Sequence, residues 1–455
     1  MKTIIKMRLI IIVLGLLCFS CKKYLDEKPD LSLAVPSTII DLQLLMDNYQ
    51  QLNSSYPILS EMMTDDYYPE SWNNVLEDYR NIATWSGKEV LYASPWASSY
   101  SSILTFNVVL DHVDKVSFKK DEAALKKHLK GSALFFRAFY YYGLTQMYAN
   151  PFDQNTAKND LGIVLRNTSD FNAPSVRATN EQTYHQIISD LKESADLLPE
   201  NQSSPNRPIK AAAHGLLARV YLSMKDYANA GIYAEKVLVL NSQLMNFNDL
   251  NASSTNPINR FNKEVIFPMT TGGRIFAYQP TFVDSTLVKS YHINDLRKSC
   301  FFHQNSNGTY CFKGDYDGTG FIDYDPSPFV FAGLATDEMY LIKAECLART
   351  GKVNEAMETL NDLLITRWKT GTFVVFSASN RNEALTYILG ERRKELVFRT
   401  LRWEDLRRLQ NDPLFSVTPR RIVNGQEYIL LPNSPRYLLK IPSKIIEQTG
   451  MQQNP

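Results

Sequence analysis

Trp72-Asn73-Asn74 combines side chains with a ready chemical use. An indole ring offers an apolar stacking face, and two neighbouring amides supply paired donors and acceptors, which together suit a polar ring such as a sugar. Trp85 lies in a similar polar setting, between Thr84 and Ser86-Gly87, while Phe276 and Tyr278 follow Gly272-Gly273 and Tyr310 leads toward an Asp-Gly loop. Trp72, Asn73, Asn74, Trp85, Phe276, Tyr278 and Tyr310 are the candidate ligand contacts. The competing reading is that Trp72 and Trp85 pin long loops to a scaffold. Trp96 precedes an apolar helical pattern and reads as core.

Signals for catalysis are absent. His112, His128, His185, His214, His292 and His303 show no metal-binding spacing. The chain has no Gly-x-Ser-x-Gly turn, no phosphate-binding glycine loop and no Cys-x-x-Cys. His214 opens a helix and reads as a capping or packing residue. Asp65 and Asp66 are adjacent carboxylates, but a glycosidase pair is set by a spatial separation of ~5–10 Å, not by adjacency. One weak calcium candidate exists: Asp315, Asp317, Thr319 and Asp323 occupy positions 1, 3, 5 and 9 of a loop with Gly320 at 6. Position 12 is Pro326 instead of Glu, so a turn in a tyrosine-rich loop is favoured and no cofactor is expected.

The 455 residues carry 49 Lys and Arg against 48 Asp and Glu, with no basic block to displace counterions from a nucleic acid. Aromatic content of 12 % is high, and three of the five Trp fall between residues 67 and 100. Lys2, Lys6 and Arg8 lead into the apolar run Leu9 to Leu17 and then Cys18-Phe19-Ser20-Cys21. That pattern predicts a signal peptide over 1–20, too short to span a bilayer, with Cys21 as the lipidated first residue of the mature chain. Cys18 stands where such cleavage sites usually carry Leu. Cys300, Cys311 and Cys346 remain; Cys346 reads as a buried thiol, and Cys300 with Cys311 is either a bridge or two thiols.

The chain reads as mostly α. Gly131 to Tyr148 is apolar nearly all round and predicts a helix buried on more than one side, stopped at Asn150-Pro151. Glu181 to Leu198 predicts an amphipathic helix. Two later stretches repeat one pattern of paired helices, with small residues twelve apart at Ala218/Ala230 and Ala344/Ala356. This resembles the tetratricopeptide helix–turn–helix unit. Because 126 residues separate Ala218 from Ala344, the pairs must be joined by large insertions. The expected layout is a leader at 21–36, a helical region at 37–240, a loop-rich insertion at 241–334 and a carboxy-terminal region at 335–455.

Several segments resemble the SusD/RagB family of nutrient-binding outer-membrane lipoproteins. They are Cys21-Lys22-Lys23-Tyr24-Leu25-Asp26-Glu27-Lys28-Pro29, Asp65-Asp66-Tyr67-Tyr68, Phe136-Arg137-Ala138-Phe139-Tyr140-Tyr141 and Ala335 to Glu345. The most specific is Glu391-Arg392-Arg393-Lys394-Glu395-Leu396 with Arg402-Trp403-Glu404-Asp405-Leu406. Arg399-Thr400 departs from the family's common Glu-Gly. Physically this block reads as a scaffold lattice of ion pairs, with Trp403 packing and Asp405 holding a nearby Arg or a backbone donor. The resemblance implies a SusD-like α-helical fold and a non-catalytic, lipid-anchored protein of the outer membrane facing outward. It implies capture of a glycan for a SusC-like TonB-dependent transporter. A peptide or other nutrient is the alternative cargo, and a surface glycoside hydrolase is less favoured.

Overall fold

The computed structural model describes residues 36–89, 95–271, 280–318 and 330–455. Cys21, Phe276, Tyr278, Thr319 and Asp323 lie outside the described residues. Helices dominate: α1 (Ile39–Met46), α2 (Pro95–His112), α3 (Ala123–Tyr148), α4 (Asn180–Leu197) and α5 (Lys210–Ser223) come first. They are followed by α6 (Tyr227–Leu240), α7 (Thr336–Arg349), α8 (Val353–Leu364), α9 (Arg381–Glu395) and α10 (Arg402–Leu409). Starts are set by side chains. Thr38 and Thr179 cap α1 and α4 through reciprocal bonds with Asp41 and Gln182, each satisfying two amides that the helix leaves unpaired.

From α2 to α8 each helix packs on the next, and α9 closes against α7. The expected pairs α5–α6 and α7–α8 are present. The large insertion is present too, but it leaves the stack after α6 and returns so that α7 lies directly on α6. That contact is close: a Cβ added at Gly231 in α6 would stand 3.1 Å from the Cys346 Cβ in α7. Residues 131–148 of α3 are all buried, as the all-round apolar pattern requires, because α2 and α4 cover opposite sides. Gly143 lets Tyr56 approach, since a Cβ there would fall 2.9 Å from its ring.

The carboxyl end of α3 leaves carbonyls that no helical amide reaches. Residues from the other end of the chain take them: Trp403 Nε1 donates to Gln146 O (3.2 Å), the Leu439 amide to Met147 O (2.9 Å) and Asn454 Nδ2 to Tyr148 O (3.0 Å). Arg407 Nη2 donates to Ala149 O (2.5 Å).

Short antiparallel ladders decorate this stack. They pair β1 (Tyr67–Pro69) with β5 (Thr281–Val283), β2 (Leu161–Val164) with β3 (Arg177–Thr179), and β4 (Val265–Phe267) with β8 (Leu334–Ala335). Hairpins join β6 (Phe302–Gln304) to β7 (Tyr310–Phe312) and β9 (Arg420–Val423) to β10 (Gln426–Ile429). Cys300, Cys311 and Cys346 are free buried thiols, so the open choice for Cys300 and Cys311 resolves to no bridge. Trp96 is core, against Tyr100 and Tyr148.

Ala218, Ala230, Ala344 and Ala356 are all fully buried, the last two in the core shared by α7, α8 and α9. Ala344→Leu is expected to overpack this layer and cost about 1–3 kcal/mol. An unchanged melting temperature would contradict the close pairing.

Candidate functional site

The segment carrying Trp72 begins at a charged clamp. Asp65 accepts two bonds from Arg402, at 2.7 and 2.8 Å, and a long one from Arg393; Asp66 accepts from Arg393 at 2.7 and 2.9 Å. Burial pushes the Asp65 carboxyl up, but the Arg402 and Arg393 guanidiniums outweigh it and hold the group well below the usual carboxylate range. Asp66, beside it, is raised by burial. Glu61 is pushed up to about 8, by burial first and then by Asp66, and it accepts the Thr400 amide at 2.8 Å. The adjacent carboxylates are thus engaged as anchors for the carboxy-terminal block.

From the clamp the chain enters β1, where Tyr68 opposes Phe282 and Pro69 opposes Thr281. The Glu70 amide extends this ladder to Pro280 O at 3.0 Å. Residues 72–74 then make one 3-10 turn. Its Trp72 ring, the Trp85 ring and the Tyr67 ring surround the Arg421 guanidinium from β9, with centroids at 5.3, 5.5 and 4.8 Å. Arg421 also donates to Thr64 O and, at 3.5 Å, to the Tyr67 carbonyl and hydroxyl. Among the described residues no carboxylate pairs with it. A buried guanidinium is tolerated here because ring faces and carbonyl oxygens supply the negative potential.

This box decides what each candidate can do. Trp85 is 2 % exposed and its indole N–H donates to Met63 O at 3.0 Å, so it is a core residue. Trp72 is buried too, at 9 % exposure, and its carbonyl accepts from Arg80 at 3.1 Å. Asn73 and Asn74 are exposed, and the Asn73 Oδ1 accepts from Asn424 Nδ2 at 2.8 Å. Tyr310 is half-buried on β7, which packs on β5. The β1–β5–β7 group carries Tyr310 and the half-buried Tyr68, edge-on to Phe282 at 5.7 Å, while Trp72 and Asn73 meet Arg421 and Asn424 of the β9–β10 hairpin. Pro280, two residues beyond Tyr278, anchors beside Glu70 in the same group.

Arg421, Asn424 and Tyr68 were not among the sequence candidates. Asn424-Gly425, both at positive φ, is a hairpin signal that locates the turn, but nothing local to it points to residue 73.

Two carboxylates of the calcium candidate, Asp315 and Asp317, have other partners. Asp315 Oδ1 accepts the Asp317 amide (2.9 Å) and the Phe331 amide (3.2 Å), and burial raises this acid well above its ordinary value. Asp317 pairs with Arg260 at 2.9 Å. Among the described residues no cluster of three or more His, Cys, Asp or Glu could hold a metal. His214 packs on Tyr233, its basicity lowered to about 4 by burial and the nearby Lys236 and Lys210. Two larger cavities lie elsewhere. One of about 320 Å³ is lined by Trp96, Tyr100 and Phe171, and one of about 380 Å³ by Asn150, Arg407 and Tyr437. No described helix is long and apolar enough to cross a membrane.

Residues 23–222 match a family model described as starch-binding and associating with the outer membrane, and residues 336–455 match the SusD family model. Two SusD-like proteins of Formosa agariphila are similar. One is 24 % identical over 281 residues, 55 % of this chain and 49 % of that protein; the other is 29 % identical over 144 residues, 31 % and 26 %. The chain thus spans half or less of these relatives. A SusD superfamily protein of Bacteroides vulgatus superposes with TM-score 0.76 at 20 % identity, covering 92 % of this chain and 99 % of the other. One from Bacteroides thetaiotaomicron gives 0.73 at 20 %, over 92 % and 100 %. A SusD-like carbohydrate binding protein of Bacteroides vulgatus gives 0.69 at 19 %, over 91 % and 97 %. At these identities the likeness to solved structures is one of fold.

Trp85→Ala should lower unfolding stability by about 3–5 kcal/mol, as loss of a large core ring does. A denaturation midpoint equal to that of the parent would place Trp85 outside the core.

Proposed function

The chain belongs to the SusD family, and on that premise we propose a non-catalytic cell-surface protein that binds oligo- or polysaccharide and passes it to a SusC-like TonB-dependent transporter. Its link to the outer membrane is a lipid on Cys21. The observation that carries the binding role is the surface at residues 72–74. Two exposed amides directly follow the buried Trp72, whose ring packs on the Arg421 guanidinium. Amides can donate to and accept from vicinal hydroxyls, while the ring faces of half-buried tyrosines can pack on the C–H faces of a sugar. A rigid frame matters because ordering the site in advance removes that cost from binding. The ligand surface on this reading is Asn73, Asn74, Asn424, Tyr68 and Tyr310, with Trp72 beneath the two amides. Phe276 and Tyr278 join it as proposed contacts from the segment that enters at Pro280.

The carboxylates support binding over hydrolysis. Asp65 and Asp66 are occupied by guanidiniums, as are Glu391, Glu395 and Asp405. A peptide cargo would favour the same amides, so the two classes separate only by direct binding.

The test is calorimetry with soluble oligosaccharide and peptide panels. An oligosaccharide that binds should lose about tenfold in affinity in Asn73→Ala/Asn74→Ala, with the melting temperature unchanged, since two exposed hydrogen bonds are worth about 1–3 kcal/mol. Binding of peptides alone, or hydrolysis of a bound glycan, would overturn the assignment.

A further inference from the structure

Helix α1 is apolar on two sides. Ile39, Leu42 and Met46 face the core, yet Ile40 and Leu44, one turn apart, are 47 % and 67 % exposed, and Leu45 beside them is 37 % exposed. A bridge between Thr38 and Ser117, with the Ile39 amide donating to Ser117 O at 3.3 Å, places Phe118 against the start of this helix. Phe118 is itself 43 % exposed. Gln43 and Met46 share a small cavity with Leu125 and His128, so α1 lies along the first turns of α3. An exposed apolar cluster of this kind on a polar surface marks an interaction site.

Lysines ring the cluster. Residues 113–130 hold six Lys and three acids. Lys126 lies 4.7 Å from the Phe118 ring centroid and bridges Asp114, and Lys130 bridges Glu193. Lys115, Lys119, Lys120 and Lys127 are exposed and enter no ion pair among the described residues. Of the other two acids, Glu122 turns to the Lys119 amide at 2.7 Å, and Asp121 alone stands exposed and uncommitted.

We propose that this face of α1 and residues 115–127 rests on an anionic lipid surface, with Ile40, Leu44 and Phe118 among the head groups and the four lysines on their phosphates. A few exposed apolar side chains with flexible cations around them is the arrangement of an interfacial contact, whereas a protein partner needs a packed apolar centre. Location favours the same occupant. The described chain begins at Pro36, beside α1, and only residues 22–35 separate it from Cys21. Fully extended, that stretch reaches about 50 Å at most. On the proposed lipid anchor, this face is therefore held near the bilayer at high effective concentration. The placement rests on that anchor; the chemistry of the face does not.

The experiment uses the chain from residue 21 onward carrying Cys21→Ala, so that no lipid contributes. It is sedimented with phosphatidylethanolamine vesicles with and without phosphatidylglycerol. Binding should need phosphatidylglycerol, weaken with added salt, and fall about a hundredfold in Lys119→Glu/Lys120→Glu/Lys127→Glu. Leu44→Asp should reduce it severalfold, and both variants should keep the parent melting temperature because the residues are exposed. Equal sedimentation with both vesicle types, or indifference to Leu44→Asp, overturns the proposal. Lipid labelling at Cys21 in cells is read separately, so failure of the anchor and failure of this face are distinguishable.

Discussion

Buried guanidinium–carboxylate pairing holds this protein together. Arg297 bonds Asp295, Glu391 and Glu395; Glu395 continues to Arg367, and Arg367 to Glu264. Tyr316 then links Glu264 to Asp337, which meets Arg399. A second chain runs from Arg392 through Asp405 and Arg408 to Glu345. A third ties Arg393 and Arg402 to Asp66 and Asp65. Such pairs add little net stability over apolar packing, but removing one partner leaves a buried charge at a cost of about 3–5 kcal/mol. The lattice thus works as a register. Every loop that contributes one partner must return to the same place, however long it is between its ends.

That constraint explains how a stack with a long insertion stays continuous. The insertion leaves at α6, contributes Glu264, Asp295, Arg297 and Tyr316 to the lattice, and returns at α7 through Asp337. Between these points it is free to build β5, β6 and β7, the strands around the proposed ligand surface. Three consecutive residues of α9, Glu391, Arg392 and Arg393, feed the three chains. The same part of the sequence caps α3 through Trp403 and Arg407, so the first buried helix and the last region of the chain are locked together. Arg407 and Arg421 are buried guanidiniums held instead by carbonyl oxygens. Arg421, with no carboxylate partner among the described residues, is held by three rings as well, and it fixes the plane of Trp72.

The helices were legible because their signals are local. The all-round apolar run of α3, the amphipathic face of α4 and the small residues of the paired helices each follow from spacing within one segment. The lattice was half legible: alternating charge in Glu391 to Asp405 marked it, and Asp405 does hold Arg392 and Arg408, but Asp65, Arg297 and Arg367 carry no mark of their destination. The packing of α6 on α7 was not legible, since it depends on Gly231 meeting Cys346 across the whole insertion. Nor was the orientation of the two tryptophans. Polar neighbours such as Asn73 and Ser86 say that a turn is near the surface, not which way the ring points, and the partner that turns both rings inward is more than 300 residues away.

The central claim, that buried ion pairs set the frame, is tested most directly by a double-mutant cycle across the clamp. Asp65→Asn, Arg402→Met and the double variant would be compared by chemical denaturation. Each single change should cost about 3–5 kcal/mol, because it strands the other charge in the interior. The double variant should cost less than their sum by more than about 1 kcal/mol. Strictly additive losses, or single variants as stable as the parent, would contradict the account.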